Sequence, residues 1–404
     1  MKKTLAEKIP FSIKLWLKKK RKRFSNRAED DFPIVARRDD EKSSIIVFND
    51  TLPHFDRDSG GLRLFQILRV LAENRRVVFI PVGDSRHELF YENKLAEINV
   101  EIRSVLEYDA LLKSENFAAA ILSRPDVADK VFDSIRRLSP ETKIIYDTVD
   151  IHFVRFEREF EIVGKAEFRR AARRFKQLEA KLAASADQVW CVTDADRKFL
   201  QPLTPAADFE IVPNIHESGT RGANFAQRDG LLFVGNYQHR PNVDAVLFFL
   251  DAIFPRLLQG KPDLKFYVVG ADPPPEILRR KSETVVVSGF VPEVEPYFER
   301  ARVFVAPLRY GAGMKGKIGQ ALSFGLPVVT TAVGAEGMNL QNECDVLIAD
   351  EPEAFADSVR RVYDDNLLWQ KLSDAGFNRI ADYFSPAVVA EKVRQAVSRV
   401  NNKK

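Results

Sequence analysis

The run Arg309-Tyr-Gly-Ala-Gly-Met-Lys-Gly-Lys317 holds the residue types best suited to chemistry. Gly311, Gly313 and Gly316 have no Cβ, so backbone N–H groups there can approach an anion closely. The run follows an apolar, β-rich stretch (Val303–Ala306) and precedes a helical pattern. A helix starting at that point adds partial positive charge, and Lys315 and Lys317 add full charges. Together these features predict a phosphate or diphosphate ligand. Two motif matches are literal only. Gly311-x-Gly313-x-x-Gly316 satisfies the dinucleotide fingerprint, but that motif belongs on the first strand–helix turn of its domain. Its ribose-binding acid should close the next strand, where Thr330 and Thr331 stand. Gly311-x4-Gly316-Lys317 is close to a P-loop, but Ile318 replaces the Ser/Thr that would hold Mg²⁺.

A scaffold for this loop is legible on both sides of it. Short apolar runs alternate with amphipathic stretches: 44–48, 76–81, 100–104, 118–122, 143–146, 188–192 and 210–212, with helical patterns at 60–73 and 164–185. Runs rich in Val, Ile and Phe suit strands buried on both faces of a parallel sheet. The polar stretch His216–Asp229 reads as a linker. The alternation then restarts with runs at 231–234, 266–269, 285–287, 303–306, 328–330 and 346–348. Helices are expected at 242–256, 317–324 and 352–362, and two more between Asn366 and Val400 break near Ser385-Pro386. The expected fold class is α/β, with two Rossmann-like doubly wound domains facing a cleft. The division is a basic N-terminal segment at 1–40, a first domain at 41–215, a linker at 216–229, a second domain at 230–384, and a C-terminal helix at 385–404 that packs back on the first domain.

Composition limits the alternatives. A chain of 404 residues with 45% hydrophobic and 30% charged residues is ordinary globular material, and disorder as its main state is excluded. Two cysteines, Cys191 and Cys344, make no disulfide framework or metal motif and fit a reducing cytoplasm. No apolar run is long enough for a membrane-spanning helix. The net charge of +4 is unevenly spread: residues 1–27 hold eleven Lys/Arg against the single acid Glu7. Apolar residues including Trp16 precede six consecutive cations, Lys18 to Arg23. Such a segment suits the anionic inner face of the cell membrane; a solvated tail and a nucleic-acid arm are the other readings. Lys14 breaks the apolar stretch and the basic block follows it, so a signal peptide is not expected.

The segment PLRYGAGMKGKIGQALSFGLPVVTTAVGAEGM, residues 307–338, resembles the donor-binding segment of family 4 glycosyltransferases with the GT-B fold. Leu231-Leu-Phe-Val-Gly235 with Arg240-Pro-Asn-Val-Asp244 is similar to the start of their C-terminal domain. Asp56-Arg-Asp-Ser-Gly-Gly61 resembles their N-terminal glycine loop, and Tyr146–His152 the strand end lining the acceptor side. The resemblance spans about 43–400. It implies metal-independent, retaining transfer from a UDP- or GDP-sugar, with no cofactor, to a saccharide or lipid-linked saccharide, as in polysaccharide biosynthesis.

Carried over residue by residue, Lys317 would contact the donor diphosphate with Lys315 in support. Gly311, Gly313 and Met314 would present backbone to phosphate or sugar, and Gly60 and Gly61 would admit the opposite helix end. Gly235 and Arg240 would lie on the donor side, and Phe290 and Val291 would flank the base. Asp150 and His152 would sit beside the reacting sugar or the acceptor. The family's E-x7-E pattern is broken: the first glutamate falls at Ala312 and the second, which usually holds the ribose, at Gln320. The rival readings are a catalytically lapsed nucleotide-sugar binding protein and, from the glycine fingerprint, a nicotinamide-dependent oxidoreductase. Several other residues read as ordinary. Arg155 and Arg158 suit a solvated helix face, Glu179 a surface pair, His54, His216 and His239 loop positions, and Trp190 with Cys191 the core.

Overall fold

The computed structural model describes residues 44–83, 88–217 and 221–401. The basic segment 1–40, with its expected membrane contact, lies outside the described residues. The first half contains β1 (Ile45–Asn49), α1 (Ser59–Ala72), β2 (Val77–Pro81), α2 (Leu89–Glu97), β3 (Val100–Ile102), α3 (Tyr108–Ser114), β4 (Ala119–Ser123) and α4 (Pro125–Leu138). It continues through β5 (Lys143–Asp147), α5 (His152–Val163), α6 (Ala166–Ser185), β6 (Gln188–Cys191), α7 (Asp194–Leu200) and β7 (Phe209–Ile211). Each run read as a strand forms one, its ends shifted by no more than two residues.

The second half starts with β8 (Leu231–Val234) and α8 (Arg240–Phe248). A π-helical turn at Phe249–Ile253 leads into α9 (Phe254–Leu258). Pro255 there has no N–H to donate, so the ladder cannot continue in α register through it. Next come β9 (Phe266–Val269), α10 (Pro275–Leu278), β10 (Val285–Gly289), α11 (Glu295–Arg300), β11 (Val303–Ala306), α12 (Gly316–Ser323), β12 (Val328–Thr330), α13 (Ala332–Ala335) and β13 (Leu347–Ile348). The chain closes with α14 (Pro352–Asp364), α15 (Asn366–Tyr383) and α16 (Pro386–Asn401).

The strands form two parallel sheets, in the orders β3-β2-β1-β4-β5-β6-β7 and β10-β9-β8-β11-β12-β13. In each sheet the strand order reverses beside the first strand, between β1 and β4 and between β8 and β11. Such switch points open a crevice at the carboxyl ends of the strands. The glycine loop 311–316 leaves β11, the fourth strand of its sheet, whereas a dinucleotide fingerprint would leave β8. Strands β1, β2, β4, β6 and β11 are buried at every position, and Trp190 and Cys191 are core residues.

Helices cover the sheets through apolar stripes. On α4, Val127, Ala128, Val131, Phe132 and Ile135 are buried at three- and four-residue spacing. Near the 216–229 stretch, Phe225 meets the Trp369 ring edge-on, and Arg228 is buried against the carbonyls of Phe298, Ala301 and Phe324. Helix α16 returns to the first half, where Val389, Val393, Val397 and Val400 join a core cluster with Leu64 and Leu68 of α1.

One buried ion pair fixes α1 to its sheet. Arg63 Nη1 lies 2.7 Å from Asp147 Oδ2, both side chains almost wholly enclosed. Arg63 Nε and Nη2 also donate to Val212 O. Removing the cation would strand a buried carboxylate. Arg63→Ala should therefore cost about 3–5 kcal/mol of stability, read from urea unfolding of the full chain; an unchanged midpoint would contradict this role.

Candidate active site

Two helix starts meet across the interdomain cleft. Helix α1 begins after Asp58, whose Oδ1 accepts the Gly61 N–H at 2.7 Å. Helix α12 begins at Gly316 with no side-chain cap, so its first N–H groups have no intrahelical partner. A Cβ on Gly316 would collide with the side chain of Ser59, so only glycine lets the two ends approach this closely. Gly313 has φ +67°, and a Cβ there would stand 3.1 Å from Asp150 Cβ. The positive ends of two helix dipoles therefore point into one space.

The two lysines sit beside these ends. Lys315 is buried and its Nζ donates to Gly313 O at 2.6 Å. Burial pulls its pKa down to about 8, despite the charges of Glu336 and Asp196 nearby. Lys317 Nζ donates to Asn242 Oδ1 at 2.6 Å and stands 5.5 Å from the Phe233 ring centroid. Burial, reinforced by Lys315, lowers its pKa to about 7. Among the described residues no carboxylate comes within ion-pair distance of either ammonium. Two cations without a paired acid, Lys315 buried and Lys317 half-buried, stand at two helix N-termini, an arrangement suited to an anion.

The facing wall comes from the turn between β5 and α5. Val149 has φ +63°, an unfavourable conformation for a β-branched residue, and this turn presents Asp150 to the glycine loop. Burial works against ionising Asp150. Arg155, at 2.9 Å, leads His152, Arg124 and His239 in overcoming it and holds the carboxyl well below its ordinary range. His152 is buried, its Nδ1 3.3 Å from Asp150 Oδ1 and 3.6 Å from Glu179 Oε1. Glu179 accepts the N–H groups of His152 and Phe153 at 2.9 and 3.0 Å, so it caps α5 where no local side chain does.

Charged pairs hold the two halves together around this space. Arg158 meets Glu336 with two bonds, at 2.7 and 2.9 Å, and donates to Gly311 O at 2.6 Å. Arg240 Nε lies 3.0 Å from Glu159, and its guanidinium stands over the Phe168 ring at 4.6 Å. Beside the cleft, a cavity of about 240 Å³ opens at the first switch point. Asn49, Asp50, His54, Asp58, Arg124 and Asp147 line it together with Gly60 and Gly61. Asp147 Oδ1 is buried there without a hydrogen-bond partner.

The structure thus gathers Gly60, Gly61, Asp150, His152, Gly311, Gly313, Lys315 and Lys317 around one space. Met314 contributes backbone only, its side chain lying in the core. Gly235 follows β8 and lies beside Asn242. Phe290, which is 60% exposed, and Val291 follow β10, two strand spacings or about 10 Å from β8. Arg240 is engaged with the first domain. The Gln320 side chain makes no hydrogen bond among the described residues, and Ala312 packs against the first domain's core.

Several residues read as ordinary are placed differently. Arg155 and Arg158 do not form a solvated face; both are ion-paired at the cleft. Glu179 is fully buried, and His216 is buried with its Nε2 against Gly319. His239 lies within electrostatic reach of Lys317, Arg155 and Asp150. Asn242 and Glu336 were not singled out from the sequence. Glu336 stands 178 positions from Arg158, and no local pattern connects them.

Comparison with known proteins bears on the fold and on the second half of the chain. Residues 228–365 match the family model described as glycosyl transferases group 1. Over 138 residues the chain is 25% identical to an "uncharacterized 44.6 kDa protein in cps region" of Klebsiella pneumoniae, covering 32% of this chain and 36% of that one. Among solved structures it is similar to TarM of S. aureus (TM-score 0.58, 12% identity, 70% of this chain and 55% of that chain). It is also similar to Anabaena HepE in complex with UDP-glucose (TM-score 0.66, 11% identity, 88% and 99%). The chain therefore spans about a third of the Klebsiella protein and about half of TarM, but nearly all of HepE. From its two parallel sheets and these structural matches, the chain has the GT-B fold, and its residues 228–365 match the glycosyl transferases group 1 model.

Proposed function

We propose that the protein transfers a sugar from a UDP- or GDP-sugar to a saccharide or lipid-linked saccharide in the cleft between its two domains. The observation that carries this reading is the convergence of two helix N-termini with Lys315 and Lys317, neither ammonium paired to an acid. The family match to the second domain supports it, and HepE is a protein of the same fold in complex with UDP-glucose. The cations and helix ends would neutralise charge on the departing diphosphate, with no metal required. Transfer would retain the anomeric configuration: the bond from C1 to the phosphate oxygen breaks, and C1 bonds to the acceptor oxygen on the same face. The acceptor's proton passes to the leaving phosphate. Asp150 and His152, held by Arg155 and Glu179, would position the sugar. The cavity at β1 and β4 would receive the acceptor, Asp147 Oδ1 accepting a hydrogen bond from one of its hydroxyls.

A second reading rests on Ala312 and Gln320, which replace the family's two glutamates: the chain would bind a nucleotide sugar without turning it over. Labelled donor separates the two. An enzyme releases nucleoside diphosphate, and a binding protein returns the donor intact. In the active protein, Lys317→Ala should lower turnover by at least about a hundredfold, as loss of a charge-stabilising contact does, while circular dichroism stays native. Normal turnover in that variant would remove the site assignment.

Binding should also move protons. In the free protein Lys317 titrates at about 7 and Lys315 at about 8, below their ordinary 10.5. A bound diphosphate favours the charged ammonium and raises both values. Above about pH 7 the complex then holds more protons than the free protein, so binding takes protons up and affinity falls as pH rises toward the ordinary lysine value. Calorimetry with UDP and GDP at pH 8, in buffers of different ionisation enthalpy, should show proton uptake. Binding with no proton exchange would contradict the depressed lysines.

A further inference from the structure

The outer face of the α5–α6 hairpin is not explained by sugar transfer. Helix α6 buries Phe168, Ala172, Phe175, Glu179 and Leu182 on one stripe. Its opposite half is basic: Arg169, Arg170, Arg173 and Arg174 are exposed in successive turns, with Lys165, Lys176 and Lys181 toward the edges and ends. Glu167 is the one exposed acid on this helix. Surface pairing does not account for the face. Arg174 meets Asp126 at 2.7 Å and Lys176 meets Glu157 at 3.8 Å. Lys165, Arg170, Arg173 and Lys181 have no carboxylate partner among the described residues, and Arg169 only stands over the Phe160 ring. From Lys165 to Lys181 the cations extend over about 24 Å of helix.

The hairpin tip has the opposite character. Ile162 and Val163, each 41% exposed, lie just before Gly164, which turns the chain at φ +73°. Glu161 is the neighbouring acid. We infer that the α5–α6 hairpin is a docking element for an anionic lipid bilayer, its arginine face lying on the headgroups and Ile162 and Val163 entering the interface. Charge complementarity selects an anionic surface, and the adjacent exposed aliphatic pair selects a bilayer over a nucleic acid, which would leave that pair in water. The hairpin is held to the body: Glu159 and Phe168 both contact Arg240 of the second domain. Helix α5 runs from His152 at the cleft to the tip, about 18 Å, so docking would hold the cleft close above the surface. This docking does not depend on sugar transfer and is measured without donor.

The test uses the full chain with Cys344→Ser and Val163→Cys, labelled at position 163 with an environment-sensitive fluorophore; Cys191 is buried and does not react. Vesicles of phosphatidylcholine with phosphatidylglycerol should shift its emission to the blue, and phosphatidylcholine alone should not. Adding Arg169→Gln, Arg170→Gln and Arg173→Gln should raise the lipid concentration for half-maximal shift about a hundredfold, about fivefold per cation. Sedimentation of the chain with anionic vesicles and no shift at position 163 would overturn the inference, because the basic N-terminal segment would then dock alone. A shift produced by RNA and not by vesicles would overturn it too.

Discussion

The contact of Gly316 with Ser59, between the starts of α12 and α1, is the constraint on which the other features rest. It brings two helix dipoles end to end, an arrangement that is repulsive unless negative charge lies between them. The same approach sets Gly313 against Asp150 and leaves Lys315 buried and Lys317 half-buried beside it. Each feature follows from the position of the glycine loop at the second switch point, opposite the glycine loop of the first. A side chain at position 316 would separate the helix ends, and the cations would no longer share one space with the facing wall.

Keeping like-charged ends together requires compensation elsewhere. The pairs Arg158–Glu336 and Arg240–Glu159 cross the cleft beside the loop, and Arg158 also binds the carbonyl of Gly311. Ion pairs of this kind contribute less to stability than to register, and here they fix which face of the loop meets the first domain. Helix α16 adds an apolar strap, crossing from the second half to pack beside α1. The cleft is thus held by charged contacts near the glycine loop and by hydrophobic burial far from it.

The fold was largely legible because parallel strands buried on both faces need continuous runs of Val, Ile and Phe, and these stand out between polar turns. The lysine and glycine loop was legible for a different reason: its chemistry is local, packed into nine residues. What sequence could not supply were contacts between distant segments. Arg155 and Arg158 sit on a helix that looks solvated until the second domain covers it. Glu179 lies among seven cations of one helix region and reads as a surface acid, yet it faces inward to cap α5. His216 looks like a loop residue until Gly319 leaves room for its ring. For Arg158, Glu179 and His216 the side chain's partner is far away in the chain, and residue type alone carries no information about it.

A nucleoside diphosphate between the two helix ends and the two lysines would be the ligand that this arrangement serves. The most direct measurement is thermal unfolding of the full chain with UDP, GDP, the corresponding nucleosides, and NAD. The unfolding temperature should rise with at least one of the two diphosphates and not with its nucleoside. Stabilisation by NAD alone, or by a nucleoside as strongly as by its diphosphate, would contradict it.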